Sequence, residues 1–392
     1  MPSPPFSIDA MIGWADLIND DERAIQDMVG RFVSTHCMPR ITKDFEDGQF
    51  ADELIPEIAK LGVLGADLQG YGCAGISPVA YGLACHELEY CDAGWRSFVS
   101  VQTSLAMYAI WRWGSEEQKQ RWLPDMAAGR VIGCFGLTEP DHGSDPSGMK
   151  THARKKGSDW SLTGNKMWIT NAQIADIAII WAQTGSDSGG IRGFIVERGS
   201  KGFDVLSIPH KLSLRASHTG AIHLDDVCVP EENRLPDAQG LRGPLACLNN
   251  ARFGVSFGAL GSARFCLERA IEYSVERKQF GVPIAQKQLI QAHLADIITE
   301  VVKAGILSIH FGRQKASRTL LPAQVSLLKR NNCRMALESA RICRSILGAN
   351  GITTDAGILR HALNLESTYT YEGTHEIHTL VLGEALTGER AY

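Results

Sequence analysis

Several features that mark common protein classes are missing from this sequence. No stretch approaches about 18 uninterrupted apolar residues, so no membrane-spanning helix is predicted. The 39 Lys and Arg residues against 44 Asp and Glu residues give a formal net charge of −5. This balance argues against nucleic acid as the main partner, because phosphate binding requires clustered cations. The ten cysteines form no CxxC pair, which is typical of free thiols in a reducing compartment rather than of disulfides or a zinc site.

The motifs of the commonest nucleotide-binding folds and hydrolases are missing as well. There is no GxGxxG after a strand, no GxxxxGK[ST] and no GxSxG, so Rossmann, P-loop and α/β-hydrolase folds lose their usual signals. His375 and His378 have HxxH spacing rather than HExxH, and we interpret them as ordinary helix residues with no metal site. The start at Met1 lacks a secretory signal, so we expect a bacterial cytoplasmic protein, or a mitochondrial matrix protein whose leader has been removed.

The spacing of apolar residues divides the 392 residues into three consecutive parts. Helical spacing dominates residues 20–130, and short alternating or β-branched segments separated by turns fill residues 131–240. Helical spacing then returns, with Ile290, Leu294, Ile297 and Val301 separated by four, three and four positions, and a second long helix is predicted over about 322–347. The pattern predicts a mostly helical α+β protein with an N-terminal helical domain, a middle β-barrel or sandwich domain and a C-terminal helical domain (1–130, 131–244 and 245–392).

Four segments, in the same order along the chain, resemble the acyl-CoA dehydrogenase family. They are residues 133–140 (GCFGLTEP) with 143–145 (GSD), 164–171 (GNKMWITN), 277–281 (RKQFG) and 371–374 (YEGT). Within that family, Arg96-Ser97, residues 248–252 (LNNAR) and the extension of the last segment to YEGTHEIH resemble the glutaryl-CoA dehydrogenase branch. The resemblance implies the acyl-CoA dehydrogenase fold, in which the C-terminal domain is a four-helix bundle.

The chemistry of this family explains why Glu372 and Gly373 are candidates. Dehydrogenation of an acyl thioester at Cα–Cβ needs a base for the α proton and an acceptor for the β hydride. Side chains do not accept hydride, and the resemblance implies FAD as cofactor. Glu372 is the candidate base, since an apolar pocket raises the pKa of a carboxylate toward the working pH; the alternative is a surface loop carboxylate. The resemblance also implies that the Glu372 N–H and a flavin hydroxyl stabilise the enolate oxygen, with Gly373 allowing close approach.

The resemblance assigns FAD contacts to residues of the middle and C-terminal parts of the chain. For Trp168 a place in the β core is the alternative. Arg277 and Gln288 are expected to reach the pyrophosphate and adenosine of a neighbouring subunit's FAD, because a guanidinium binds phosphate well. Ser345 departs from a Gln that many relatives carry. The full set is Phe135, Leu137, Thr138, Gly143, Ser144, Trp168, Thr170, Arg277, Gln288, Thr374 and Tyr392.

Arg96 carries the substrate prediction. A buried carboxylate is costly unless it is paired, and an Arg at the end of the acyl pocket offsets that cost; the alternative for Arg96 is a solvated surface position. Glu89 and Tyr371 match residues near the distal carboxylate in decarboxylating members. The full predicted substrate set is Glu89, Arg96, Ser97, Ser144, Leu248, Asn249, Arg252, Tyr371 and Gly373.

The implied activity is oxidation of glutaryl-CoA with decarboxylation to crotonyl-CoA and CO2. Alternatives are oxidation of another short-chain or dicarboxylic acyl-CoA, release of glutaconyl-CoA without decarboxylation, an acyl-CoA oxidase, or a CoA-ester binding protein without redox activity. The implied partners are an electron-transferring flavoprotein and three further copies of the chain in a homotetramer, a dimer of dimers.

Overall fold

The computed structural model describes residues 7–185 and 190–391. Helices fill the N-terminal part, and two π-helical stretches, Val33–Cys37 and Val101–Met107, interrupt them. The Ser115 hydroxyl accepts a hydrogen bond from Gln118 N, and Gln118 Oε1 accepts one from Ser115 N, which confirms the capping box that the sequence predicts there. The α-helices are α1 (Ile8–Ile12), α2 (Trp14–Leu17), α3 (Asp20–Phe32), α4 (Ile41–Asp47), α5 (Ile55–Lys60), α6 (Pro78–Cys91), α7 (Ala93–Ser100), α8 (Tyr108–Trp113) and α9 (Glu116–Ala127).

The middle part is one curled, seven-stranded sheet with the order β1-β4-β2-β3-β7-β6, and β5 pairs with β4. The β3–β7 ladder shifts register between Lys166 and Ile169. Trp168 lies in this irregularity with a left-handed φ of 62°, so the bulge turns its side chain out of the regular alternation. The strands are β1 (Gly133–Gly136), β2 (His152–Lys156), β3 (Asp159–Thr170), β4 (Ile177–Gln183), β5 (Ile191–Glu197), β6 (Phe203–Ser207) and β7 (Thr219–Val229).

The C-terminal part is a bundle of long helices. Ile297 and Val301 are buried, and Ile290 and Leu294 pack against the same core, which confirms the predicted stripe. The elements are α10 (Arg242–Glu276), the hairpin β8 (Lys278–Gln279) and β9 (Val282–Pro283), α11 (Gln288–Ala316), α12 (Pro322–Ile346), α13 (Ile358–Thr370) and α14 (His375–Thr387). No helix in residues 7–185 and 190–391 is long and apolar enough to cross a membrane.

Helices from the two ends of the chain share a single hydrophobic core. Leu83 and Leu88 of α6 lie in the same buried cluster as Phe257 and Leu260 of α10 and Leu337 of α12. The sheet has its own cluster, which includes the buried side chains Trp160, Ile180 and Phe194. The helical–β–helical fold expected from the sequence is confirmed, and the shared core brings α6 and α7 against the C-terminal bundle.

Candidate active site

Glu372 lies in the short turn between α13 and α14. Its φ is 54° and that of Gly373 is 92°, so two successive residues have left-handed backbone. Such a conformation is unusual for a residue with a side chain and costs on the order of 1–3 kcal/mol unless its surroundings enforce it. The Thr374 hydroxyl accepts a hydrogen bond from Ile377 N at 3.2 Å and so begins α14. The turn therefore fixes where the Glu372 side chain leaves the backbone.

Two cations hold the backbone of this turn. Lys329 of α12 donates to the carbonyl oxygens of Tyr371 and Gly373, both at 2.8 Å. Arg252 of α10 donates from Nε to the carbonyl oxygen of Glu372 at 2.7 Å. Three successive carbonyls thus accept hydrogen bonds from cationic side chains, and these bonds are the surroundings that enforce the left-handed turn.

The Glu372 side chain is half-buried, and neither of its carboxylate oxygens accepts a hydrogen bond from a described residue. Its Oε2 atom is shielded from solvent and has no hydrogen-bond partner among the described residues, so the interpretation as a surface loop carboxylate is wrong. Burial raises the pKa of Glu372, and the charges of Arg96, Arg252 and Lys329 offset part of that rise. A carboxylate with a raised pKa and an unoccupied acceptor atom suits the role of a base.

Gly373 has little free space around it, because His378 and Arg252 pack closely against it. A β-carbon on Gly373 would lie 3.0 Å from His378 Nε2 and 3.3 Å from Arg252 Nη2. His378 lies in the first turn of α14, and burial lowers its pKa to about 3, so the ring is neutral at physiological pH. Only glycine fits here, in agreement with the close approach that the motif implies.

Arg96 is buried within a polar cluster rather than solvated. It is 1% exposed, and its Nε donates to Glu89 Oε2 at 2.6 Å, while Nη2 donates to the Tyr371 hydroxyl. Its Nη1 atom has no hydrogen-bond partner in the part of the chain that the structure describes. The surface interpretation of Arg96 is therefore wrong. One nitrogen of a buried guanidinium remains available beside the residue that precedes Glu372.

Three residues around this cluster, Gly258, Ser262 and Lys329, lie outside the sequence motifs that predicted the site. A β-carbon on Gly258 of α10 would overlap the Glu89–Arg96 ion pair, so the helix makes room for that pair. Ser262 donates to Glu89 Oε1 at 3.3 Å. Lys329 was not predicted from the sequence, although the sequence carries a signal for it. Lys329 lies in the buried stripe of α12 together with Leu328 and Cys333, and a lysine is unusual in such a stripe.

A second group of predicted residues lies where β1 ends beside the β3 bulge. Met167 N donates to the Thr138 carbonyl at 2.9 Å and joins the two segments. Trp168 is 58% exposed, so its alternative interpretation as β core is wrong. Thr138 and Thr170 are half-buried beside it. An exposed indole flanked by two hydroxyl groups fits a flat, polar-edged ring system such as a flavin.

A buried ion pair supports this surface from below. Lys166 lies 2.8 Å from Glu139 Oε1 and donates to the Leu137 carbonyl at 3.1 Å. Burial alone raises the pKa of Glu139, but hydrogen bonds from Lys166, Thr151 and Lys150 outweigh it and bring the pKa to about 2. Burial lowers the pKa of Lys166 to about 8, partly offset by Glu139. The end of β1 is thereby fixed.

The other predicted residues are at the edge of these two groups or apart from them. Ser97 is buried in α7, Leu248 and Asn249 are half-buried on α10, and Asn249 accepts from Arg252 at 2.9 Å. The rest divide into three sets: Phe135 and Leu137 are buried in or just after β1, Gly143 and Ser144 lie in an exposed loop, and Arg277 and Gln288 lie exposed around the β8–β9 hairpin. No side-chain hydrogen bond in residues 7–185 and 190–391 joins Arg277 or Gln288 to Glu372 or its neighbours. Tyr392 is outside the described residues.

Comparison with known proteins agrees with this geometry. Three family models match: the acyl-CoA dehydrogenase N-terminal domain over residues 19–130, its middle domain over 134–227 and its C-terminal domain over 238–387. An acyl-CoA dehydrogenase of Bacillus subtilis is 35% identical over 375 residues, which is 95% of this chain and 99% of the relative.

Two crystal structures of a glutaryl-CoA dehydrogenase from Mycobacterium smegmatis are also similar. One is 55% identical with a TM-score of 0.96 and covers 98% of this chain and 99% of its own. The other, a complex with FADH2, is 53% identical with a TM-score of 0.95 and covers 96% of this chain and 97% of its own. Together with the three matched domains, this likeness shows that the chain belongs to the acyl-CoA dehydrogenase family and is a flavoprotein oxidoreductase with FAD as its cofactor.

Proposed function

We propose that this enzyme oxidises glutaryl-CoA at Cα–Cβ and decarboxylates the product to crotonyl-CoA and CO2. The observation that carries the proposal is the buried Arg96, which pairs with Glu89 and Tyr371 and keeps Nη1 available. An apolar acyl chain would gain nothing from a buried guanidinium, whereas a distal carboxylate recovers its lost hydration through a charge-assisted pair. The similar glutaryl-CoA dehydrogenases support the same substrate.

Glu372 takes the α proton in this proposal. Its Oε2 atom has no hydrogen-bond partner among the described residues, and the nearby cations offset part of the rise in the Glu372 pKa that burial causes. The Glu372 N–H donates to no other described residue, so it is available to the enolate oxygen that forms as the proton leaves. FAD supplies the acceptor for the β hydride.

The cofactor is held by residues of the middle domain and by both ends of the C-terminal bundle. Trp168 stacks on the ring system, and Thr138, Thr170 and Ser144 offer hydroxyl groups to its edge and to phosphate. Buried Phe135 and Leu137 fix the end of β1 beneath the ring, and Gly143 allows close backbone approach. Thr374 and Tyr392 complete the set that the family resemblance supplies.

Decarboxylation follows from the electronic structure of the product. Loss of the α proton and β hydride gives glutaconyl-CoA, whose distal carboxylate is attached to Cγ, the carbon next to the new double bond, and that double bond is conjugated to the thioester. The bond between Cγ and the carboxylate then breaks, CO2 leaves, and its electron pair flows into the thioester as a dienolate. Protonated Glu372 returns the proton to give crotonyl-CoA, and Glu372 is ionised again. Arg96 already shares its charge with Glu89, so it holds the departing carboxylate without over-stabilising it.

Two partners belong to the proposal. An electron-transferring flavoprotein accepts the electrons, and four chains form a homotetramer. Phe280, in the turn of the β8–β9 hairpin, is 94% exposed, and Leu289, at the start of α11, is 77% exposed. Large apolar side chains so exposed favour a subunit contact. That contact would carry Arg277 and Gln288 to a neighbouring chain's FAD.

Product analysis tests the activity. The holoenzyme is incubated with glutaryl-CoA and an artificial electron acceptor, and the CoA esters are identified by mass spectrometry. Crotonyl-CoA with an equivalent of CO2 supports the proposal. Glutaconyl-CoA as sole product overturns decarboxylation, and turnover of butyryl-CoA without turnover of glutaryl-CoA overturns the substrate. Rapid reoxidation by O2 favours the alternative of an oxidase.

A further inference from the structure

We propose that Lys329 is a positioning residue that strengthens the Glu372 N–H as a donor to the substrate's enolate oxygen, an inference that rests on the proposed role of that N–H. Lys329 Nζ lies 2.8 Å from the Tyr371 carbonyl oxygen. That carbonyl and the Glu372 N–H belong to one peptide unit, and the described chain contains no cis peptide bond. In a trans peptide the C=O and N–H point in opposite directions, so Lys329 sits at one end of a dipole and the enolate at the other.

A cation at the carbonyl end polarises the whole peptide. Hydrogen bonds in a chain strengthen one another, and the effect is larger in a low-dielectric interior than in water. The donor is also fixed before the reaction begins, which is the condition under which an oxyanion-stabilising group lowers a barrier most. The second bond of Lys329, to the Gly373 carbonyl at 2.8 Å, prevents the peptide from turning away.

The surroundings of Lys329 argue against a purely structural role. It is 1% exposed, and both of its hydrogen bonds go to backbone carbonyls of the turn. Burying an ammonium group without a carboxylate in contact is costly, and burial lowers the pKa of Lys329 accordingly. A neutral donor such as glutamine would hold one or both of these carbonyls at lower cost, so a cation at this position needs another use.

Four charged or titratable side chains act on the pKa of Lys329. Cys333 and Glu372 favour its protonated form, whereas Arg252 and Arg96 disfavour it. In return Lys329 is one of the cations that lower the pKa of Glu372 against the effect of burial. Removing the ammonium therefore has a second effect: the Glu372 pKa rises further, and the ionised base is reached only at higher pH.

Lys329→Met tests the inference, because it keeps the apolar stem and removes the charge and donors. Arg330→Met is the matched control: Arg330 is the next cation of α12, and it donates to Thr379 Oγ1 at 2.8 Å rather than to the turn. Dissociation constants of the holoenzymes are measured for acetoacetyl-CoA, which ionises to an enolate, and for neutral crotonyl-CoA. We expect Lys329→Met to weaken acetoacetyl-CoA binding about tenfold while crotonyl-CoA changes less than about twofold. The acid limb of its kcat/KM profile should move to higher pH, and Arg330→Met should match the wild type in every measurement.

Other outcomes separate a positioning role of Lys329 from a purely structural one. Equal weakening of both ligands, or an unmoved acid limb with uniformly reduced activity, overturns the inference in favour of a structural role. Lys329→Arg keeps a cation and should retain the enolate preference, so it decides the matter if the Met variant loses FAD or melts early. A wild-type enzyme that does not prefer acetoacetyl-CoA to crotonyl-CoA, or does not oxidise glutaryl-CoA, contradicts the proposed function itself.

Discussion

The two buried lysines of this enzyme have opposite surroundings. Lys166, in the sheet, lies against the Glu139 carboxylate, which in turn accepts backbone hydrogen bonds from Lys150 and Thr151. Charge is balanced one to one there. Lys329, in the helices, donates its hydrogen bonds to backbone carbonyls and forms no ion pair with a carboxylate of residues 7–185 and 190–391.

The polar cluster around Glu372 likewise has more cations than carboxylates. Arg96, Arg252 and Lys329 are three cations that act on Glu372, and Glu89 is the second carboxylate of the cluster. One positive charge is left over, and Glu372 Oε2 has no partner among the described residues. A balanced buried pair fixes a backbone, whereas a buried excess of cations is costly until an anion arrives. The sheet side holds the backbone in place, whereas in the proposed function the helix side receives the charge of the substrate.

Glu372→Gln should produce the largest effect, because it removes the base from the helix side while nearly preserving its volume. We expect kcat to fall by at least about 10³-fold, since general-base catalysis contributes up to about 10⁴-fold. Steady-state turnover of glutaryl-CoA measures the loss, and the absorbance ratio of flavin to protein serves as the control. A variant that keeps its activity, or one that has lost its FAD, would contradict the assignment of the base to the helix side and of structural support to the sheet side.

Lys166→Met tests the sheet side, where the effect should be on stability. Removing one partner of a buried pair strands the other charge and costs about 3–5 kcal/mol of unfolding free energy. Removing both charges, in Lys166→Met with Glu139→Gln, should recover most of that loss. Thermal unfolding of the holoenzymes measures both. If the single variant were as stable as the wild type, the Lys166–Glu139 pair would not stabilise the sheet.

Arg96→Met should alter selectivity rather than overall activity. The distal carboxylate loses its partner, so kcat/KM for glutaryl-CoA should fall about 100-fold more than for butyryl-CoA, the size expected for a charge-assisted pair. The ratio of the two substrates cancels any general damage to the fold. Equal losses on both substrates would show that Arg96 only supports the structure.

Trp168→Phe should have the smallest effect. The exposed indole contributes stacking area, and aromatic stacking is worth about 1 kcal/mol, so FAD should bind roughly fivefold more weakly. Fluorescence of FAD released on dilution measures the change. An unchanged dissociation constant would remove Trp168 from the cofactor site, while the Thr138 and Thr170 assignments would stand on their own.

Long periodic elements were the most predictable part of the fold. The apolar stripe of α11 and the extent of α12 follow from residue spacing alone, since each helix buries one face. The common core of the N- and C-terminal helices did not follow, because periodicity shows which face is apolar but not which distant segment covers it. The domain boundaries after residues 130 and 244 stay predictions.

The site was predictable where chemistry is concentrated in a short motif. Glu372 and Tyr371 come from one such motif, and Arg96 and Glu89 were named because the family resemblance extends to them. Lys329 lies in α12, 43 positions before Glu372, and its proposed role depends on a backbone contact that no sequence pattern encodes. The left-handed φ of Glu372 is likewise a product of tertiary hydrogen bonds, since nothing in its side chain favours that conformation.

Gly258 has a consequence at the level of the gene. A β-carbon at this position of α10 would overlap both Glu89 Oε2 and Arg96 Nε, so the charged end of the pocket depends on the smallest possible side chain one helix away. Glycine and alanine codons differ by one nucleotide. A single base change is therefore enough to press a methyl group against the ion pair, and the helical cluster has little tolerance for that mutation.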